Sequence, residues 1–151
     1  MSVTGLVHVN INCSDFERSR AFYEVLGFEV LAPVPERNTP EVAAAVGLPP
    51  YVVRGALMAL RDARVPLVID LLEWVEPNDG SPPYEHLYHL GIARVALASS
   101  DLDADMRHLQ DAGVEFLSQP AEVTLAGGRR SRFVCFYDPD GTVLELVESV
   151  P

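Results

Sequence analysis

Four ionisable residues, His8, Asp70, Arg94 and Glu145, each interrupt a short stretch that otherwise alternates like a half-buried strand. Successive side chains on a strand point to opposite faces. His8 therefore falls with Leu6, Asn10 and Asn12, opposite Val7, Val9 and Ile11. Arg94 falls with Ile92 and Ala96, opposite Val95 and Leu97; Asp70 with Val68 and Leu72, opposite Ile69 and Leu71; Glu145 with Val143 and Val147, opposite Leu144 and Leu146. A few polar groups on largely hydrophobic walls is the character of a small-molecule site. Leu6, Asn10, Val68, Leu72, Ile92, Ala96, Val143 and Val147 are its expected walls, with Trp74 at one edge and Arg132 reaching toward an anionic ligand.

A lone charge on a strand is ordinarily a solvated face. An internal repeat raises these four together. Gly5 to Asp15 aligns with Gly91 to Asp101, and the match continues through Gly27/Gly113, Glu29/Glu115 and Leu31/Leu117. Leu67 to Glu73 aligns likewise with Thr142 to Glu148. The repeat sets His8 against Arg94 and Asp70 against Glu145. In each copy a strand runs into Ser-Asp, whose aspartate caps a helix. The first helix, about 16–26, carries Phe16, Phe22, Val25 and Leu26; the second carries Leu102, Met106, Leu109 and Ala112. Gly27 and Gly113 stand where a helix needs a left-handed stop.

Second strands are expected at Phe28 to Leu31 and Val114 to Leu117. The first copy is longer, with an inserted helix near 40–46 announced by Thr39-Pro40 and closed by Gly47. Hairpin turns are expected at Asp138-Pro139-Asp140-Gly141 and, more weakly, at Arg61-Asp62-Ala63-Arg64. The pattern is α+β: two tandem βαβββ modules, 1–75 and 91–151, joined by a linker over 76–90.

The chain has 151 residues and a formal net charge of −11, which disfavours nucleic acid as a partner. Every basic residue is arginine; without lysine, neither Schiff-base chemistry nor a P-loop is available. Two cysteines make no disulfide framework or metal knuckle, and Cys13 reads as an inert thiol. No apolar run approaches the ~20 residues of a membrane helix, and a charged-then-apolar leader is missing. A cytoplasmic protein without membrane contact is the expectation. His86 and His89 read as exposed linker residues, and the inserted segment with Tyr51 is where ligand selectivity is expected.

Gly5 to Asp15 (G-x-x-H-V-x-I-x-x-x-D), Ala21-Phe22-Tyr23 with Leu26-Gly27-Phe28, and Asp138-Pro139-Asp140-Gly141 leading into Leu144-Glu145-Leu146 together resemble the vicinal oxygen chelate superfamily. This is the glyoxalase, bleomycin-resistance and extradiol dioxygenase fold, and the resemblance covers nearly the whole chain. It implies paired βαβββ modules curving around a cavity, often in homodimers, with metal ligands drawn from the first and last strands of each module. Those positions here are His8, Asp70, Arg94 and Glu145.

Arg94 departs from that pattern. Guanidinium has no free lone pair and stays protonated, and at ~5 Å it would repel a divalent ion by about 6 kcal/mol at an effective dielectric of ~20. Two arrangements stay open. His8, Asp70 and Glu145 hold one divalent transition metal (Mn, Fe, Co, Ni or Zn), or Arg94 pairs with the carboxylates and no metal is needed. An extradiol dioxygenase resembling the family needs two histidines, so that chemistry is disfavoured. The resemblance implies instead a glyoxalase- or epimerase-type lyase or isomerase, moving a proton next to a carbonyl. Glu145, in preference to Asp70, would be the base and Arg94 would stabilise the oxyanion. The alternative is a metal-free protein that sequesters a bulky apolar or aromatic compound.

Overall fold

The computed structural model describes residues 3–63, 65 and 67–150. The chain forms two compact units, divided between Ser81 and Pro82.

The first unit runs β1 (Val9–Cys13), α1 (Phe16–Val25), β2 (Phe28–Pro33), α2 (Pro40–Ala45), β3 (Val52–Leu60) and β4 (Val68–Glu76). Its sheet has the order β1-β4-β3-β2, with β1 parallel to β4 and the other pairs antiparallel. The second unit runs β5 (Val95–Ser99), α3 (Leu102–Asp111), β6 (Ala121–Thr124), β7 (Arg130–Tyr137) and β8 (Val143–Val150). Its sheet repeats the plan as β5-β8-β7-β6, with β5 parallel to β8. Each unit is thus strand, helix and three strands, as the repeat requires.

Local signals fix the helices. Asp15 accepts the Arg18 N–H at 3.0 Å and Asp101 accepts that of Ala104 at 2.9 Å, each satisfying a donor the helix itself cannot. Gly27 and Gly113, at φ +92° and +87°, end the helices in the left-handed region that disfavours other residues. Thr39 caps α2, Pro40 opens it, and Ala43 is fully buried beneath it.

Alternation then builds each core. Ile11, Met58, Ile69, Leu71 and Phe28 are buried on the face that α1 covers with Phe16, Ser19 and Tyr23. Leu97, Val134, Phe136, Leu144 and Leu146 do the same beneath Leu102, Met106 and Leu109 of α3. Each large apolar side chain so buried stabilises its unit by about 1.5–3 kcal/mol.

Several expectations need correction. The inward row of α1 is Phe16, Ser19 and Tyr23, whereas Phe22 is only half-buried and meets the Tyr23 ring edge-on at 5.3 Å. Ala112 is an exposed helix cap. Val114 to Leu117 makes no strand but one bridge, Phe116 to Phe136. After Leu117 donates to the Cys135 carbonyl at 2.9 Å the chain turns away through Ser118-Gln119-Pro120, and β6 forms only at Ala121.

The first strands also begin late, at Val9 and Val95, where their partners β4 and β8 reach only one residue further upstream, to Val68 and Val143. The Asp138 turn forms as expected, its side chain accepting the N–H groups of Asp140 and Thr142. The other hairpin places Asp62 at φ 58° and closes with Leu60 N–H to the Leu67 carbonyl; Arg64 lies outside the described residues.

Candidate functional site

In the first unit, Asn10 and Asn12 of β1 stand beside Asp70 and Leu72 of β4 on the face away from α1. Asn10 donates its amide to the Asp70 main-chain carbonyl at 2.8 Å, so it ties the strands together without touching the Asp70 carboxylate. Asn12 accepts the Trp74 indole N–H at 2.9 Å, and Tyr51 lies 4.8 Å from the Trp74 ring. Leu72 is buried and leans over Gly55, where an added Cβ would come within 2.6 Å of it.

The Asp70 carboxylate is the uncommitted group. Its Oδ1 is buried and has no hydrogen-bond partner among the described residues. Burial raises its pKa from the ordinary value of 3.8, and the charge of His8 pulls the other way. Buried polar atoms are nearly always paired, so an orphaned carboxylate oxygen marks a place where something else is meant to donate.

In the second unit the equivalent group is committed. Glu145 sits on β8 between Ala96 of β5 and Cys135 of β7, and is 7% exposed. Its Oε2 forms an ion pair with Arg94 Nε and also receives the Cys135 thiol at 3.9 Å. Burial, and then the Glu145 charge, push the Cys135 thiol up. Val143 is buried and Val147 half-buried beside Glu145, while Ala96 is exposed. Sequence reasoning missed Cys135. Its place beside Glu145 follows only from the β7–β8 register, which a single sequence does not state.

Other candidates fall elsewhere. Arg132 is opposite Glu148 in the ladder, on the α3 side, and its guanidinium is held by Asp103 at 2.7 Å and Glu148 at 3.2 Å. It is a structural ion pair rather than an anion contact beside Glu145. Leu6 and Ile92, expected as walls on strands, lie ahead of β1 and β5 and are 75% and 72% exposed. Val68 opens β4. His86 and His89 are exposed and stack on Tyr88 and Tyr84 within their own segment.

The structure joins His8 with Asp70 in one unit and Arg94 with Glu145 in the other. Among the described residues, no three His, Cys, Asp or Glu side chains stand together as a metal site would require. Glu145 Oε2 already holds a guanidinium. The donors within either unit therefore do not fit a divalent ion.

A family model described as the Glyoxalase/Bleomycin resistance protein/Dioxygenase superfamily matches residues 5–146. The chain belongs to this superfamily. It is 28% identical over 149 residues to the uncharacterized protein YwkD of Bacillus subtilis (strain 168), covering 98% of this chain and 99% of that one. Among solved structures, a glyoxalase family protein from Bacillus cereus shares the fold with a TM-score of 0.81 at 19% identity, covering 100% of this chain and 97% of that one. TnmS3, an antibiotic binding protein from Streptomyces sp. CB03234, matches with a TM-score of 0.67 at 25% identity, over 99% of each chain. Among the described residues, no helix is long and apolar enough to cross a membrane.

Proposed function

We propose that the chain is a metal-independent lyase or isomerase that moves a proton next to a substrate carbonyl, with Asp70 as the proton-handling carboxylate. The observation that carries this reading is the buried, unpartnered Oδ1 of Asp70. A general base needs a lone pair free to take a proton and a pKa lifted toward the working pH. Asp70 has both features, whereas Glu145 is spent on Arg94 and Cys135. His8, whose charge favours the ionised form of Asp70, is the neighbouring group for the carbonyl oxygen.

The test is hydrogen–deuterium exchange at the carbon next to the carbonyl, followed by NMR across hemithioacetals, 2-hydroxy ketones and 2-hydroxy acids. Exchange by the native protein that Asp70→Asn abolishes supports the reading. No exchange with any class, or equal exchange by Asp70→Asn, overturns it.

A second reading, sequestration of a bulky apolar or aromatic compound, draws on the 25% identity to an antibiotic binding protein across essentially the whole chain. The Trp74–Tyr51 pair, with Trp74 four residues along β4 from Asp70, suits an aromatic ligand. Binding unaffected by Asp70→Asn but weakened by Trp74→Ala would favour it. We propose further that the protein is cytoplasmic and a homodimer; light scattering on the purified chain would check the dimer.

A further inference from the structure

We infer that Arg94 forms a carboxylate-binding site on the second unit, its terminal Nη groups presented to a ligand while its Nε is held by Glu145.

A guanidinium offers five N–H donors in a fixed fork. The Glu145 contact uses the Nε side, and among the described residues no partner takes the Nη groups. The Nη1/Nη2 edge is the one that meets a carboxylate end-on through two parallel hydrogen bonds. Its base is rigid, since the Glu145 side chain is 9% exposed, stands on a strand paired on both sides, and also receives the Cys135 thiol. The Arg94 side chain is 46% exposed, so the donor edge is reachable while its root is fixed.

The surroundings select the ligand. β5 is an edge strand, and beside Glu145 it carries exposed Ala96, too small to obstruct a planar group. Tyr137 lies opposite Val143, on the Glu145 face, and is 48% exposed; Ile92, two residues before Arg94, is 72% exposed. An apolar body behind a carboxylate fits this rim, and an aryl carboxylate fits it better than acetate. The net charge of −11 opposes anions at long range, but at physiological salt that field is screened beyond about 8 Å. The inference is independent of the role given to Asp70, so either can fail alone.

The test is an NMR titration of the ¹⁵N-labelled chain with benzoate at constant ionic strength, following the Arg94 Nε–H signal. Expected is a saturable shift with benzoate, weaker with acetate and missing with benzamide. Arg94→Gln should lower benzoate affinity tenfold or more with an otherwise native amide spectrum, and Arg94→Lys should recover only part of it. No saturable shift, or the same shift with benzamide or chloride, overturns the site. Should Arg94→Gln fail to fold, the native titration and Arg94→Lys decide.

Discussion

Glu73, near the end of β4, accepts the main-chain N–H of Phe16, the first residue of α1, at 2.9 Å. The second unit repeats the contact, with Glu148 of β8 accepting the N–H of Leu102 at 3.2 Å. An arginine backs each carboxylate: Arg54 lies 3.2 Å from Glu73 and Arg132 3.2 Å from Glu148. The last strand of each module thereby grips the start of its helix, where a negative charge also suits the helix dipole. Replacing either glutamate by glutamine should cost about 1 kcal/mol of unfolding free energy, measured by urea denaturation. Arg132→Ala should destabilise without changing the affinity of any ligand whose binding depends on Glu145.

Asp70 carries a pH signature. Its pKa is raised on folding, so its contribution to stability is fully present below the unfolded value and lost as pH rises through the folded one. The native chain should lose stability relative to Asp70→Asn from about pH 4 upward, leaving Asp70→Asn the more stable at pH 7. Partial exposure keeps the difference under about 1 kcal/mol. Urea melts across that range check it, and a more stable native chain at pH 7 would contradict the assigned environment.

Cys135 should resist alkylation near neutral pH, because burial and the Glu145 carboxylate both disfavour its thiolate. Glu145→Gln removes that charge and leaves Arg94 nearby, so the Cys135 pKa should fall and its iodoacetamide labelling accelerate several-fold. Peptide mass mapping separates it from Cys13.

Purified without chelators or a histidine tag, the protein should contain well under one transition metal per chain by elemental analysis. About one metal per chain, lost in Asp70→Ala, would mean that the donor set assembles despite Arg94.

Gly55 faces the Leu71 carbonyl and the Leu72 side chain. A Cβ there would stand 2.3 Å from Leu71 O and 2.6 Å from Leu72 Cδ2. Gly55→Ala should cost about 2 kcal/mol or more, visible as a lowered melting temperature.

Most of the fold was legible because it is written in local terms. Asp15, Asp101, Gly27, Gly113 and the Asp138 turn act on their own neighbours, and the repeat supplied the two-module plan. The apolar rows at Ile69/Leu71 and Leu144/Leu146 named the buried faces. What failed depended on partners. The starts of β1 and β5 fall one residue inside those of β4 and β8, and the strand expected at Val114 gave way to one at Ala121 that leans on β7. The site divided in the same way. The repeat set His8 against Arg94 and Asp70 against Glu145 and left open whether Arg94 meets a carboxylate; its pairing with Glu145, Cys135 beside Glu145 and Arg132 beneath Glu148 required the strand registers. Which carboxylate is spent and which is free is a property of hydrogen-bond partners rather than of residue type.

The short helix α2 brings its own start in Thr39, its own stop in Gly47 at φ +75°, and a single anchor in Ala43. Nothing in the pairing of β3 with β4 draws on it. Such a self-terminated cassette can be lengthened, shortened or exchanged between relatives while the ladder beneath keeps its register. A lineage that needs a different ligand could rewrite these residues without having to refold the protein around them.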